Sequence, residues 1–79
     1  MTTINLIATG NNIKCLRDAA GLNTKDLQVV FGFRTPQAIF KWYRGETLPT
    51  VDNLVILAEL FGVKIDDILV TDSVSSLAA

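Results

Sequence analysis

The chain of 79 residues has no histidine and a single cysteine, Cys15. Without histidine it lacks the commonest metal ligand and the commonest general base. With one thiol no internal disulfide can form, and a lone thiol fits a reducing compartment. Cys15 has no second cysteine to pair with and no histidine to share a metal with, so it reads as a plain surface or boundary residue. Long apolar runs are missing too. The longest unbroken one is Leu54 to Ala58, far short of the roughly 20 residues a membrane-spanning helix needs. The opening stretch, Met1 to Gly10, has neither the basic start nor the apolar length of a signal peptide. These absences lead us to expect a soluble, cytoplasmic protein with no membrane partner, no metal and no cofactor. An enzyme is disfavoured, because no phosphate-cradling glycine loop and no nucleophile–base pair is present. Asp66 and Asp67 are adjacent acids, but neighbours in sequence point apart on a helix. They suit a helix N-terminus better than paired acid–base work.

What is present is apolar and helical. Hydrophobic residues make up 49% and charged residues 19%, the composition of one globular domain. The net charge of −1 argues, taken alone, against a nucleic-acid partner. Its distribution argues the other way. Between Asn11 and Arg44 six bases stand against two acids, a net of +4; from Gly45 to Ala79 one base stands against six acids, a net of −5. A basic half is the electrostatic footprint of a phosphate-binding surface, and a chance fluctuation of so few charges is the bland alternative.

Glycines and caps divide the chain into helices. The first runs from Thr9 or Asn11 to Ala20, with Ile13, Leu16, Arg17 and Ala20 on one face and Gly21 as its stop. The second runs over 24–31. Asn23 caps it, Asp26 completes a capping box, Leu22 and Leu27 occupy staple positions, and Gly32 ends it with Phe33 folding back. A third follows over 36–44, with Thr35 as cap and Pro36 at the first helical position. A fourth starts after Thr50, carries Asp52 in its first turn and ends at Phe61 before Gly62. A short fifth covers Lys64 to Val70. Strand-like alternation is confined to Thr3–Ile7, and no strand pair is needed to bury the apolar faces. The expected fold is all-α, a compact bundle of four helices plus a short fifth over 1–70, with 71–79 as a small, polar, flexible tail.

Two short helices around a tight glycine turn form a helix-turn-helix unit, whose second helix fits the major groove of DNA. At about 100° per residue from Gln37, Ile39, Trp42 and Tyr43 fall near 200°, 140° and 240° and face the core. Gln37, Phe40, Lys41 and Arg44 form the opposite arc. Glutamine pairs with adenine, lysine and arginine with guanine or phosphate, and an aromatic edge meets a thymine methyl. No acid lies on that arc. A merely solvated polar face is the competing reading, against which stands Phe40, an aromatic on the outer face. Trp42, an aromatic able to stack on a base, points inward by its angle and reads as a core anchor.

The ordered set of residues resembles the Cro/cI-type (XRE-type) helix-turn-helix domains, lambda-repressor-like in fold. Gly10-Asn11-Asn12-Ile13-Lys14-Cys15-Leu16-Arg17 is similar to their opening. Gly21-Leu22-Asn23-Thr24-Lys25-Asp26-Leu27 is similar to their second helix. Ile39-Phe40-Lys41-Trp42-Tyr43-Arg44-Gly45, then Pro49, Leu54, Leu57, Ala58 and Leu60, are similar to the third and fourth. Gly32 to Ile39 is closest to a subgroup found in Gram-positive bacteria. The resemblance spans about Gly10 to Leu69. It implies sequence-specific binding of double-stranded DNA and a homodimer on a palindromic operator; repression by occupying a promoter is expected over activation, because nothing in the sequence suggests an activating surface. By position it places Gln37, Ala38, Phe40 and Lys41 at the bases, and Thr24, Lys25, Arg34 and Arg44 at the phosphates. The chain departs from the family at Thr24 (usually glutamine), Gln28 (usually small) and Tyr43 (usually glutamate), and its turn between the two helices is one residue longer.

The fourth helix leaves little polar face: Val51, Leu54, Val55, Ile56, Leu57, Ala58, Leu60 and Phe61 are apolar. Part of that belt, with Ile65, Ile68 and Leu69, either buries against a second subunit or is enclosed within its own domain. The competing functional reading is a protein-interaction module on the same fold, an antitoxin-like or regulator-binding partner that works through the acidic half and the apolar fourth helix.

Overall fold

Asn5 starts the first helix earlier than its apolar periodicity suggests. Its side-chain oxygen accepts the Ala8 N–H at 2.9 Å, an N-cap that satisfies one of the free donors of the first turn. In the computed structural model, which describes residues 2–73, the order is β1 (Thr2–Ile4), α1 (Leu6–Ala19), α2 (Thr24–Phe31), α3 (Gln37–Tyr43), α4 (Val51–Phe61), α5 (Ile65–Ile68) and β2 (Thr71–Ser73). α1 therefore begins before Thr9 and runs through Gly10, a residue that weakens an isolated helix. Tertiary contact compensates, because α1 packs against α3, α4 and α5.

α2 has the ends its sequence specifies. Asn23 accepts from the Asp26 N–H and Asp26 accepts from the Asn23 N–H, both at 2.9 Å. Gly32 stops it in the left-handed region at φ 68°, and the next N–H, that of Phe33, reaches back to the Gln28 carbonyl at 3.1 Å. α3 begins one residue later and ends one residue earlier than the expected 36–44, with Arg44 as its C-cap. Pro36 stands at its N-cap position and no side chain caps it, so Thr35 does not play the expected role. α4 matches its expected span. α5 is shorter than 64–70: the backbone turns extended at Leu69, leaving a single turn whose start is held by Asp67 accepting the Lys64 N–H at 3.0 Å.

The core is a single cluster: Ile13 from α1, Leu27 from α2, Ile39, Trp42 and Tyr43 from α3, Leu54, Leu57 and Ala58 from α4, and Ile68 from α5. Phe31 and Phe33 extend it; each meets the Trp42 ring edge to face, at 5.5 and 6.1 Å between centroids. Thr9 is the one buried polar residue among those described. Its hydroxyl accepts the Val70 N–H at 2.9 Å and lies 3.4 Å from the Val70 carbonyl. Asn12 donates to the carbonyls of Asp67 and Ile68 at 2.7 and 3.0 Å, satisfying the free end of α5.

The strand pair was not anticipated. β1 and β2 run antiparallel with Thr2 opposite Ser73, Thr3 opposite Asp72 and Ile4 opposite Thr71. The segment expected to be a flexible tail thus starts with an ordered strand; the remainder of 71–79, from residue 74, lies outside the described residues. All six strand residues are exposed. The alternation at Thr3–Ile7 overlaps β1 only at Thr3 and Ile4, and because the pair buries no apolar face nothing in the sequence points to β2 as its partner.

Candidate nucleic-acid interface

α3 separates its residues as the angular spacing requires. Ile39, Trp42 and Tyr43 are buried; Gln37, Ala38, Phe40, Lys41 and Arg44 are exposed. Phe40 keeps 37% of its surface in solvent, with its ring edge toward Tyr43 at 6.1 Å. The outer face of α3 thus carries an amide, an aromatic and two cations, the set of groups that reads base edges and touches phosphates. Arg44 is partly committed already, since its Nε donates to the Glu46 carboxylate beside it. Both groups are about half exposed, so the pair contributes little to stability and yields readily to another anion.

The sequence-predicted residues do not form one cluster. Thr24, Phe40 and Arg44 come together around a cleft between α1 and α3, in company with Lys14, Arg17 and Tyr43. Lys25 and Arg34 are exposed but lie outside that cleft. Thr24 is half-buried and its hydroxyl is engaged: it accepts from Arg17 Nη1 at 3.3 Å and shares a hydrogen bond with the Tyr43 hydroxyl at 3.0 Å. Its side chain therefore works first as an internal link between α1, α2 and α3.

Arg17, Lys14 and Gln28 are the residues that the sequence reading left outside the site. Arg17 donates to Asp18 at 2.7 Å and its guanidinium lies 5.3 Å from the Tyr43 ring centroid; the Lys14 ammonium lies 5.7 Å from the same centroid. Asp18 first, and Tyr43 next, hold the Arg17 guanidinium protonated even above its ordinary range. The signal was there in the spacing: Lys14 and Arg17 stand three residues apart, on one side of α1. Gln28 carries no charge and gave no such signal. Its amide donates to the carbonyls of Phe33 and Arg34 at 3.2 and 3.1 Å, spanning the turn into α3.

Among the described residues no group of three or more histidine, cysteine, aspartate or glutamate side chains is placed to hold a metal ion. Cys15 is exposed on α1. No described helix is long and apolar enough to cross a membrane.

No curated protein matches the chain. Among solved structures, the crystal structure of the DNA-binding domain of BldD is similar, with a TM-score of 0.66 and 23% identity over 82% of this chain and 93% of that one. A likeness at that identity bears on the fold, and it agrees with the arrangement of helices described above. A family model described as helix-turn-helix matches residues 13–68, which takes in every helix from the middle of α1 to the end of α5. The chain belongs to the helix-turn-helix family of the Cro/cI (XRE) type.

Proposed function

We propose that the chain is a sequence-specific, double-stranded DNA-binding transcriptional regulator of the cytoplasm, acting as a repressor by occupying its operator. α3 enters the major groove. Gln37, Ala38, Phe40 and Lys41 meet base edges, while Lys25, Arg34, Arg44 and the start of α2 at Thr24 lie toward the phosphates. The observation that carries this reading is the division of α3: three buried apolar anchors on one side, and on the other an acid-free face with Gln37, Phe40, Lys41 and Arg44 exposed together. The likeness of this fold to the DNA-binding domain of BldD supports it.

The regulator works as a homodimer. Val51, Val55 and Ile56 on α4 remain exposed, Val51 by 75%, and a second copy on a two-fold operator would cover them. Ile68 does not join that surface, because it is fully buried in its own core. Sedimentation that detects only monomer at high micromolar concentration would remove the dimer. The same exposed side chains favour a second reading, an antitoxin-like or regulator-binding module that captures another protein through α4.

Selection of bound duplexes from a random library tests the first reading, with Gln37→Ala as the comparison. An enriched palindrome that changes in the variant supports sequence reading by α3 and a two-fold protein. No enrichment at low salt, together with salt-insensitive capture of a protein, favours the second reading.

A further inference from the structure

The cleft between α1 and α3 has a volume of about 380 Å³ and is lined by Lys14, Arg17, Thr24, Phe40, Tyr43 and Arg44. Three of these six are cations and none is an acid. Aspartate and glutamate touch the group only from its periphery, as Asp18 on Arg17 and Glu46 on Arg44. Lys14 has no ion pair among the described residues. Its ammonium and the Arg17 guanidinium both lie over the ring of Tyr43, whose negative face attracts them.

Two cations held at one aromatic ring and lining one cleft repel each other, and an anion between them relieves that repulsion. The framework is fixed beforehand. Arg17 is tied at one end to Asp18 and at another to Thr24, and the Thr24 hydroxyl is tied in turn to Tyr43. Lys14 is exposed and has no carboxylate partner among the described residues, so its charge is free to meet an anion. Phe40 and Arg44 belong both to this cleft and to the outer face of α3. The cleft is therefore continuous with the surface that reads DNA, and an anion in it lies along the path of a backbone beside the groove.

We propose that this cleft is a phosphate clamp, in which Lys14, Arg17 and Arg44 grip one backbone phosphodiester per subunit above the Tyr43 ring. The clamp rests on the DNA-binding reading given above. It assigns to α1 a share of DNA binding, and to Tyr43 the positioning of two cations.

The test is salt-dependent binding of the full chain to a selected duplex and to a random-sequence duplex. Lys14→Ala is compared with Lys64→Ala, a charge-matched change on the acidic half. Lys14→Ala weakens both duplexes by the same factor, about eightfold at 0.1 M salt for one phosphate contact, and lowers the slope of log affinity against log salt by about one. Lys64→Ala leaves the slope unchanged. Ethylation of single phosphates supplies the second readout. One phosphate per half-site whose ethylation weakens the natural chain, but no longer weakens the Lys14→Ala and Arg17→Gln variants, locates the clamp. An unchanged slope in Lys14→Ala, or no such phosphate, overturns it while leaving DNA binding intact. Failure of the natural chain to bind any duplex overturns the DNA-binding reading itself. If inorganic phosphate then shifts the amide resonances of Lys14, Arg17 and Tyr43, the cleft serves a small phosphorylated ligand and the DNA clamp is overturned with it.

Discussion

Gly10 of α1 crosses α3 against the Trp42 carbonyl: a Cβ built on Gly10 would strike that oxygen first and would stand 2.6 Å from the Tyr43 carbonyl oxygen beside it. Both obstacles are backbone atoms of the helix that carries the proposed reading face, so neither can turn aside.

Gly10→Ala is therefore strongly destabilising. Any gain in helix propensity is small, while forcing the two helices apart costs about 3 kcal/mol. For a domain of this size that lowers Tm by more than about 10 °C, read from thermal unfolding by circular dichroism. A variant with unchanged Tm would mean that α1 and α3 do not cross at this point.

Gln28→Ala removes both amide donors to the Phe33 and Arg34 carbonyls. The loss is about 1–2 kcal/mol in a denaturant titration. DNA affinity falls as well, because the turn places Arg34 and the start of α3. The salt slope stays as in the natural chain, since no charge is lost. A change in slope would show that Gln28 acts on the phosphates rather than on the turn.

Gln37→Ala and Lys25→Ala separate reading from holding. The first relaxes preference at one base pair per half-site, by about 1–3 kcal/mol of discrimination. The second weakens all sequences alike and reduces the salt slope by about one. Binding titrations against a panel of single-base operator variants check both.

The start of α4 makes one contribution to stability that acid removes. The Thr50 hydroxyl donates to Asp52 at 2.5 Å, and this bond first, then backbone N–H groups, hold the Asp52 carboxyl below its ordinary range. A depressed folded value stabilises the protein above the unfolded pKa, and that contribution is lost as pH falls through the folded one. Thr50→Ala therefore lowers the urea midpoint at pH 7, and the difference from the natural chain closes in strong acid. With no histidine in the sequence, neither protein has a side chain that ordinarily titrates between pH 5 and 8. A gap that persisted in strong acid would refute the role of the carboxylate.

α2 and α4 were legible because their boundaries are local chemistry. Asn23, Asp26 and Gly32 act within a few residues of themselves, and so does Gly62. The two faces of α3 were legible for the same reason, since its helical period alone sorts Trp42 from Lys41. The start of α1 was not, because Leu6–Ala8 are helical by virtue of the Asn5 cap and of ties from Asn5 and Thr9 to Val70, more than sixty positions away. The strand pair was hidden likewise: its partners are chain-distant and exposed. In the site, α3's outer residues were visible, but the inward engagement of the Thr24 hydroxyl and the bridging by Gln28 depend on how three helices meet. No single segment encodes that.

Trp42 is the only tryptophan in the chain. It is buried to 96% on the inner side of α3, with Phe31 from the end of α2 and Phe33 from the turn against its ring. The indole thus gives the protein an intrinsic fluorophore at the seam between the two helices of its motif. Its emission follows the docking of the turn against α3 without any label. A red shift under conditions where helix content is retained would mark a chain whose helices persist while the angle between them has loosened.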